Sequence, residues 1–108
     1  MANSEYDKFK SRLSNLLSNF YRWDNWPELR NPNDLSWENM IRDFRNDVLI
    51  EMEENPSFKS RKEEALKEAW NMARDIIRKD SKISYEDIPK TCPYTFEEAM
   101  NIKCGLGI

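Results

Sequence analysis

Histidine is absent from these 108 residues, and glycine and cysteine occur only twice each. Without histidine the chain cannot assemble a Ser-His or Cys-His nucleophile pair, and it lacks the commonest metal-ligating side chain. Two cysteines alone fall short of the four-ligand set of a structural zinc site. Both glycines lie in the last four residues, which leaves too few for a turn-rich all-β fold and none for a glycine-rich phosphate loop. No apolar run approaches the roughly 20 residues that span a bilayer. The opening "MANSEYDKFK" is polar and lacks the apolar region of a signal peptide. Two cysteines without a secretory signal point to a reducing cytoplasm. The net charge of −3 gives no basic excess of the kind nucleic-acid binders carry.

What is present suits one small helical domain spanning residues 1–108. Charged residues make up 34%, above the usual ~25%, as expected of extensive exposed helix surface. Four Trp, four Tyr and five Phe supply enough large apolar area for a core. Residues 31–56 carry two basic and seven acidic side chains, whereas residues 57–80 carry seven and five. That contrast reads as neighbouring helices of complementary charge.

The apolar spacing defines the helices. Tyr6, Phe9, Leu13, Leu16, Leu17, Phe20 and Trp23 step by threes and fours, which predicts a helix over 5–25 with Ser4 as its cap. "DNWPELRNPNDLS" breaks the pattern as a loop that lays Trp26 and Leu29 on the bundle. A second helix over 36–54 starts at Ser36, with Leu35 and Met40 as a hydrophobic staple. Its stripe is Trp37, Met40, Ile41, Phe44, Val48 and Met52. Leu49 and Ile50 widen it, which predicts contact with two neighbours.

Asn55-Pro56 ends that helix and opens a third over 56–80, with Asn55 as cap and Pro56 in the first turn. Ala65, Ala69 and Ala73 form a line of small residues along which another helix can approach. A short helical turn is expected near 84–88, capped by Ser84. A last helix over 96–103 is expected from the capping box Thr95/Glu98, with Gly105 after its end. The fold class is therefore all-α: an antiparallel three-helix core with one or two short C-terminal helices, a small helical bundle.

Each chemical candidate has a structural alternative. Cys92 and Cys104 flank a predicted helix that would hold them ~12–15 Å apart, too far for a disulfide, which needs about 7 Å or less. Cys92, between Pro89 and Pro93, reads as a buried packing residue in a rigid elbow. Asp47 and Glu51, one helical turn apart, could serve a metal-dependent enzyme, but no Glu-x-x-His element accompanies them. A solvated acidic face opposite basic helices is the preferred reading. Tyr21, Arg22 and Trp26 could stack and contact a nucleic acid, a disfavoured reading because the neighbouring rings belong to the core stripe. Arg45 sits at the buried edge of the second helix and is expected to pair with a carboxylate.

The residues "LLSNFYRW", "SWENMIRDFR", "NPSFKSRKEEALKEAWNMAR" and "PKTCPYT", in this order and spacing, resemble the bacterial and archaeal family called domain of unknown function 29. Arg22-Trp23, Ser36-Trp37, Ile41, Arg45, Pro56-Ser57-Phe58, Ala69-Trp70, Ala73-Arg74, Pro89 and Cys92 to Thr95 carry the resemblance. It implies an all-α bundle and no established activity. Asn19 stands where members commonly carry a histidine. The family's preceding helical region is missing here, which leads to the expectation of an apolar face in need of cover.

The functional expectation is a cytoplasmic interaction or regulatory module with no catalytic residues, metal or cofactor. A homodimer or another protein is the expected partner, and Arg45, Trp26, Tyr21 and Arg22 are the candidate binding residues. The alternatives are the carboxylate enzyme and the nucleic-acid binder.

Overall fold

A computed structural model describes residues 3–26, 33, 36–81 and 85–101. Its helices are α1 (Asn3–Asn25), α2 (Ser36–Glu54), α3 (Lys62–Ser81) and α4 (Phe96–Asn101). Two 3-10 turns, Pro56–Arg61 and Tyr85–Asp87, precede α3 and follow it. The bundle is all-α, as expected. No helix among the described residues is long and apolar enough to cross a membrane. Leu29, Leu35, Ser84, Cys104 and Gly105 lie outside the described residues.

α1 is the central element rather than one of three equivalent helices. Its apolar stripe from Tyr6 to Phe20 is buried, and so are Ser14, Ser18 and Asn19 on its other sides. A helix covered nearly all round has to hide its polar groups locally. The Ser14 hydroxyl donates to the Ser11 carbonyl at 2.7 Å and the Ser18 hydroxyl to that of Asn15 at 3.2 Å.

α2 runs antiparallel to α1, with Arg12 beside Asp47 and Glu51, and Trp37 beside Asn19. α3 ascends alongside α1, with Tyr6 at Glu64 and Lys10 at Glu68. The fully buried Ala65, Ala69 and Ala73 line α3 and keep side-chain bulk low where helices meet. Because α1 lies between them, α2 meets the third-helix region chiefly at the Pro56–Arg61 turn. The molecule is accordingly flat, 41 × 33 × 20 Å.

This layout corrects one expectation. Leu49 and Ile50 do not join a second helix interface: they are 43% and 50% exposed. α2 spends its buried face on α1 and turns these two residues outward.

The start of the third helix also differs from expectation. Residues 56–61 wind as a 3-10 turn, and the α-helix begins only at Lys62. Asn55 does not cap it. Its side-chain amide donates to the Glu51 carbonyl at 3.1 Å and its backbone N–H to the same oxygen at 3.0 Å, so it closes α2 instead. The Phe58 N–H then bonds the Asn55 carbonyl at 2.9 Å, an i+3 contact. The turn sets the Phe58 ring on Phe9 (5.0 Å, stacked) and against Tyr6 (5.5 Å), closing one end of the core.

At the other end, α4 opens with the predicted capping box. The Glu98 N–H donates to the Thr95 hydroxyl at 3.0 Å, and the Thr95 N–H donates to the Glu98 carboxylate at 2.9 Å. Phe96 and Ala99 are buried beneath it, and Lys62 reaches Glu97 at 2.9 Å to tie α3 to α4.

Candidate functional site

Among the described residues, polar chemistry away from the α1–α3 contacts of Tyr6 and Lys10 collects at several places, beginning with the seam between α1 and α2. Asn19 is 8% exposed and fully engaged. Its amide donates to the Asn15 carbonyl at 2.7 Å, its side-chain oxygen accepts from Arg22 at 2.9 Å, and its backbone carbonyl accepts the Trp37 indole N–H at 3.2 Å. The Arg22 guanidinium lies over the Trp37 ring at 5.5 Å. One residue on, the Trp23 indole donates to the buried Glu38 carboxylate at 2.6 Å. Arg22 and Trp23 of α1 thus interlock with Trp37 and Glu38 of α2. Farther along α2, Arg45 is 7% exposed, so its guanidinium is held inside the protein instead of extending to solvent.

Of the sequence-predicted residues, Arg22, Tyr21 and Trp26 share one end of α1, and the Trp26 N–H donates to the Arg22 carbonyl at 2.9 Å. The half-buried Tyr21 ring meets Trp26 (6.1 Å) and Trp70 (5.5 Å) edge-on, so both ring contacts face into the protein. Burial, followed by the nearby Asp24 carboxylate, pushes the Tyr21 phenol above its ordinary pKa. Arg45 belongs to a different helix, α2.

The second place is the acidic face of α2. Arg12 from α1 reaches Asp47 at 3.3 Å and Glu51 at 3.2 Å, and the Glu51 side chain is only 7% exposed. The guanidinium thus stands between the two carboxylates that a cation would have to bridge. Among the described residues no group of three or more acidic or thiol side chains could hold a metal ion. Sequence periodicity did not single out Arg12, because a basic residue at a stripe edge carries no local mark of its partner.

The third place is a groove between α3 and the elbow at 89–94, with a volume of about 250 Å³. Trp70 and Arg74, one turn apart on α3, hold the elbow. The Trp70 indole donates to the Pro89 carbonyl at 2.8 Å and the Arg74 guanidinium to that of Ile88 at 3.3 Å. Tyr94 fixes the far side: its hydroxyl donates to Asp24 at 3.0 Å and its ring packs on Phe20 at 4.6 Å. Burial and then Asp24 hold the Tyr94 phenol protonated far above its usual range.

Cys92 is half-buried in this elbow, packs on the core with one side and lines the groove with the other. The expectation of a fully buried thiol is corrected to that extent. Burial raises the pKa of the Cys92 thiol, only partly offset by a backbone hydrogen bond at Tyr94, which lowers the fraction of thiolate at neutral pH. The sequence did not reveal the groove, because Lys67 and Lys90 reach it from elements 23 positions apart.

The family model described as Domain of unknown function DUF29 matches residues 1–104. No curated protein and no solved structure matches the chain.

Proposed function

Since the chain belongs to the family described as Domain of unknown function DUF29, a membership that assigns no chemistry, we propose that it acts as a cytoplasmic protein-interaction module without catalytic activity of its own. The observation that carries this reading is the outward pair Leu49 and Ile50 on α2. Adjacent large apolar side chains half in water are costly unless something covers them. α2 already spends its other face on α1, and the flat layout leaves its back open. The absence of catalysis is supported by the use of the polar residues. Arg12 takes the Asp47–Glu51 pair, and the family residues Arg22, Trp23, Trp37, Trp70 and Arg74 serve helix joints.

The proposed partner is a second copy of the chain. In a two-fold contact one patch covers itself, so no other complementary surface is required. A stable interface buries about 800 Å² per partner, and two side chains supply a small part of that, so the dimer is weak, with a dissociation constant of roughly 0.1 mM. Sedimentation equilibrium up to about 1 mM tests it: the mass rises from 13.0 kDa toward twice that, and Leu49→Asp with Ile50→Asp abolishes the rise. If the mass stays monomeric, the second copy is refuted. If, in addition, the double variant retains the same cellular proteins as the unaltered chain, the α2 interaction surface itself is refuted.

A further inference from the structure

We propose that the groove between α3 and the 89–94 elbow binds a small organic carboxylate with a compact apolar body. The groove shares no residue with the outward face of α2, so this inference is independent of the interaction reading.

Its shape is set before any ligand arrives. The elbow is held at Ile88 and Pro89 by Arg74 and Trp70, at Tyr94 by Asp24, and at Thr95 by the α4 capping box. Such a wall loses little conformational freedom when a ligand binds, which favours affinity in a small site. The apolar part of the lining comes from Leu66, itself 6% exposed, with the Cys92 sulfur and the Tyr94 ring. A ligand body that displaces water from these groups gains the usual apolar transfer energy.

The polar lining is cationic in balance. Lys67 comes from α3 and Lys90 from the elbow, while Glu63 is the one acid among the lining residues. In a chain of net charge −3, a lining of net +1 on two separate elements selects for an anion. Asn71 and Thr91 add neutral hydrogen-bonding groups.

Volume decides the size class. A cavity of roughly 150 Å³ holds a benzene ring, and drug-sized ligands occupy about 300–1,000 Å³. At about 250 Å³ the groove matches one ring or branched chain plus a carboxylate. Carboxylate is favoured over phosphate because a lining of net +1 balances the single charge of a carboxylate, whereas a phosphate monoester carries about −1.5 to −2 at neutral pH.

Cys92 serves as the reporter. In the Cys104→Ser protein it is the only thiol. Phenylacetate at about 10 mM is expected to slow alkylation of Cys92 by neutral iodoacetamide about sixfold, as for a dissociation constant of about 2 mM. Phenethylamine, the same ring on a cation, should not protect. Lys67→Ala with Lys90→Ala should lose the protection, while Lys79→Ala keeps it. Unchanged alkylation with phenylacetate, equal protection by phenethylamine, or full protection in the double variant each overturns the proposal. If Cys92 reacts too slowly to follow, saturable shifts of the Asn71 and Thr91 amide resonances with phenylacetate replace the readout, and their absence overturns it equally.

Discussion

Replacing Arg12 by alanine isolates the charge pairing that joins α1 to α2. The guanidinium stands 3.2 Å from Glu51 and 3.3 Å from Asp47. The two carboxylates differ in their access to water: the Glu51 side chain is 7% exposed and that of Asp47 41%. Without Arg12, Asp47 is rehydrated at little cost, whereas Glu51 keeps its buried position without the Arg12 guanidinium. A pair of unit charges at about 4 Å is worth about 4 kcal/mol at an effective dielectric of 20, and breaking a buried pair costs about 3–5 kcal/mol. The Arg12 side chain is 35% exposed, which moderates the loss to about 2–4 kcal/mol. For a domain of this size that lowers Tm by about 10–20 °C.

A second substitution separates charge from packing. Arg12→Met combined with Glu51→Leu removes both charges of the pair and keeps the volume, so it should return to within about 1 kcal/mol of the original protein. Urea denaturation followed by tryptophan fluorescence measures the original protein, Arg12→Ala, Arg12→Met alone and the double variant, and a constant m-value confirms that the same transition is being compared. Arg12→Ala within about 0.5 kcal/mol of the original, or a double variant no more stable than Arg12→Met alone, would mean that Arg12 does not offset the Glu51 charge.

Three further outcomes follow from the same contacts. Trp70→Phe keeps a ring against Tyr21 but deletes the N–H that holds the Pro89 carbonyl, so it should lower stability by about 1 kcal/mol in urea and speed alkylation of Cys92 as the elbow loosens; neither change would mean the indole bond does not hold it. The Glu64 carboxylate accepts from Arg61 and from the Tyr6 hydroxyl, which hold its pKa below the ordinary range; a depressed carboxyl pKa stabilises the fold above the unfolded value and loses that effect as pH falls through the folded one, so Glu64→Gln should flatten the acid limb of a Tm-against-pH curve. Cys92→Ser places a hydroxyl in a half-buried apolar position and should cost about 1 kcal/mol in thermal denaturation, a larger loss arguing for a more enclosed thiol than the groove provides.

Local order was legible in the residues because its causes are local. The α2 boundaries at Ser36 and Glu54, the α4 capping box and the buried stripe of α1 depend on side chains three or four positions apart. Where two local signals competed for one residue, the packing around it chose between them. Asn55 had two helices to cap, and its bonds to Glu51 decided for α2; Phe58 then entered the Tyr6–Phe9 cluster through a 3-10 turn.

The candidate site was less legible. Arg12 finds its carboxylates 35 and 39 positions away, Trp70 reaches a carbonyl 19 positions on, and Lys67 and Lys90 share a groove only because the elbow folds back on α3. Leu49 and Ile50 make the same point in reverse. Their hydrophobicity suggested a second buried face, yet hydrophobicity does not say how many neighbours a helix receives. That helices form, where most of them end and which residues seek burial can be read from the residues alone, because backbone hydrogen bonds and caps are made within a few positions. The tertiary structure alone decided that α1 sits in the centre and that the outer face of α2 stays open, because which surfaces meet depends on how helices far apart in the chain pack together.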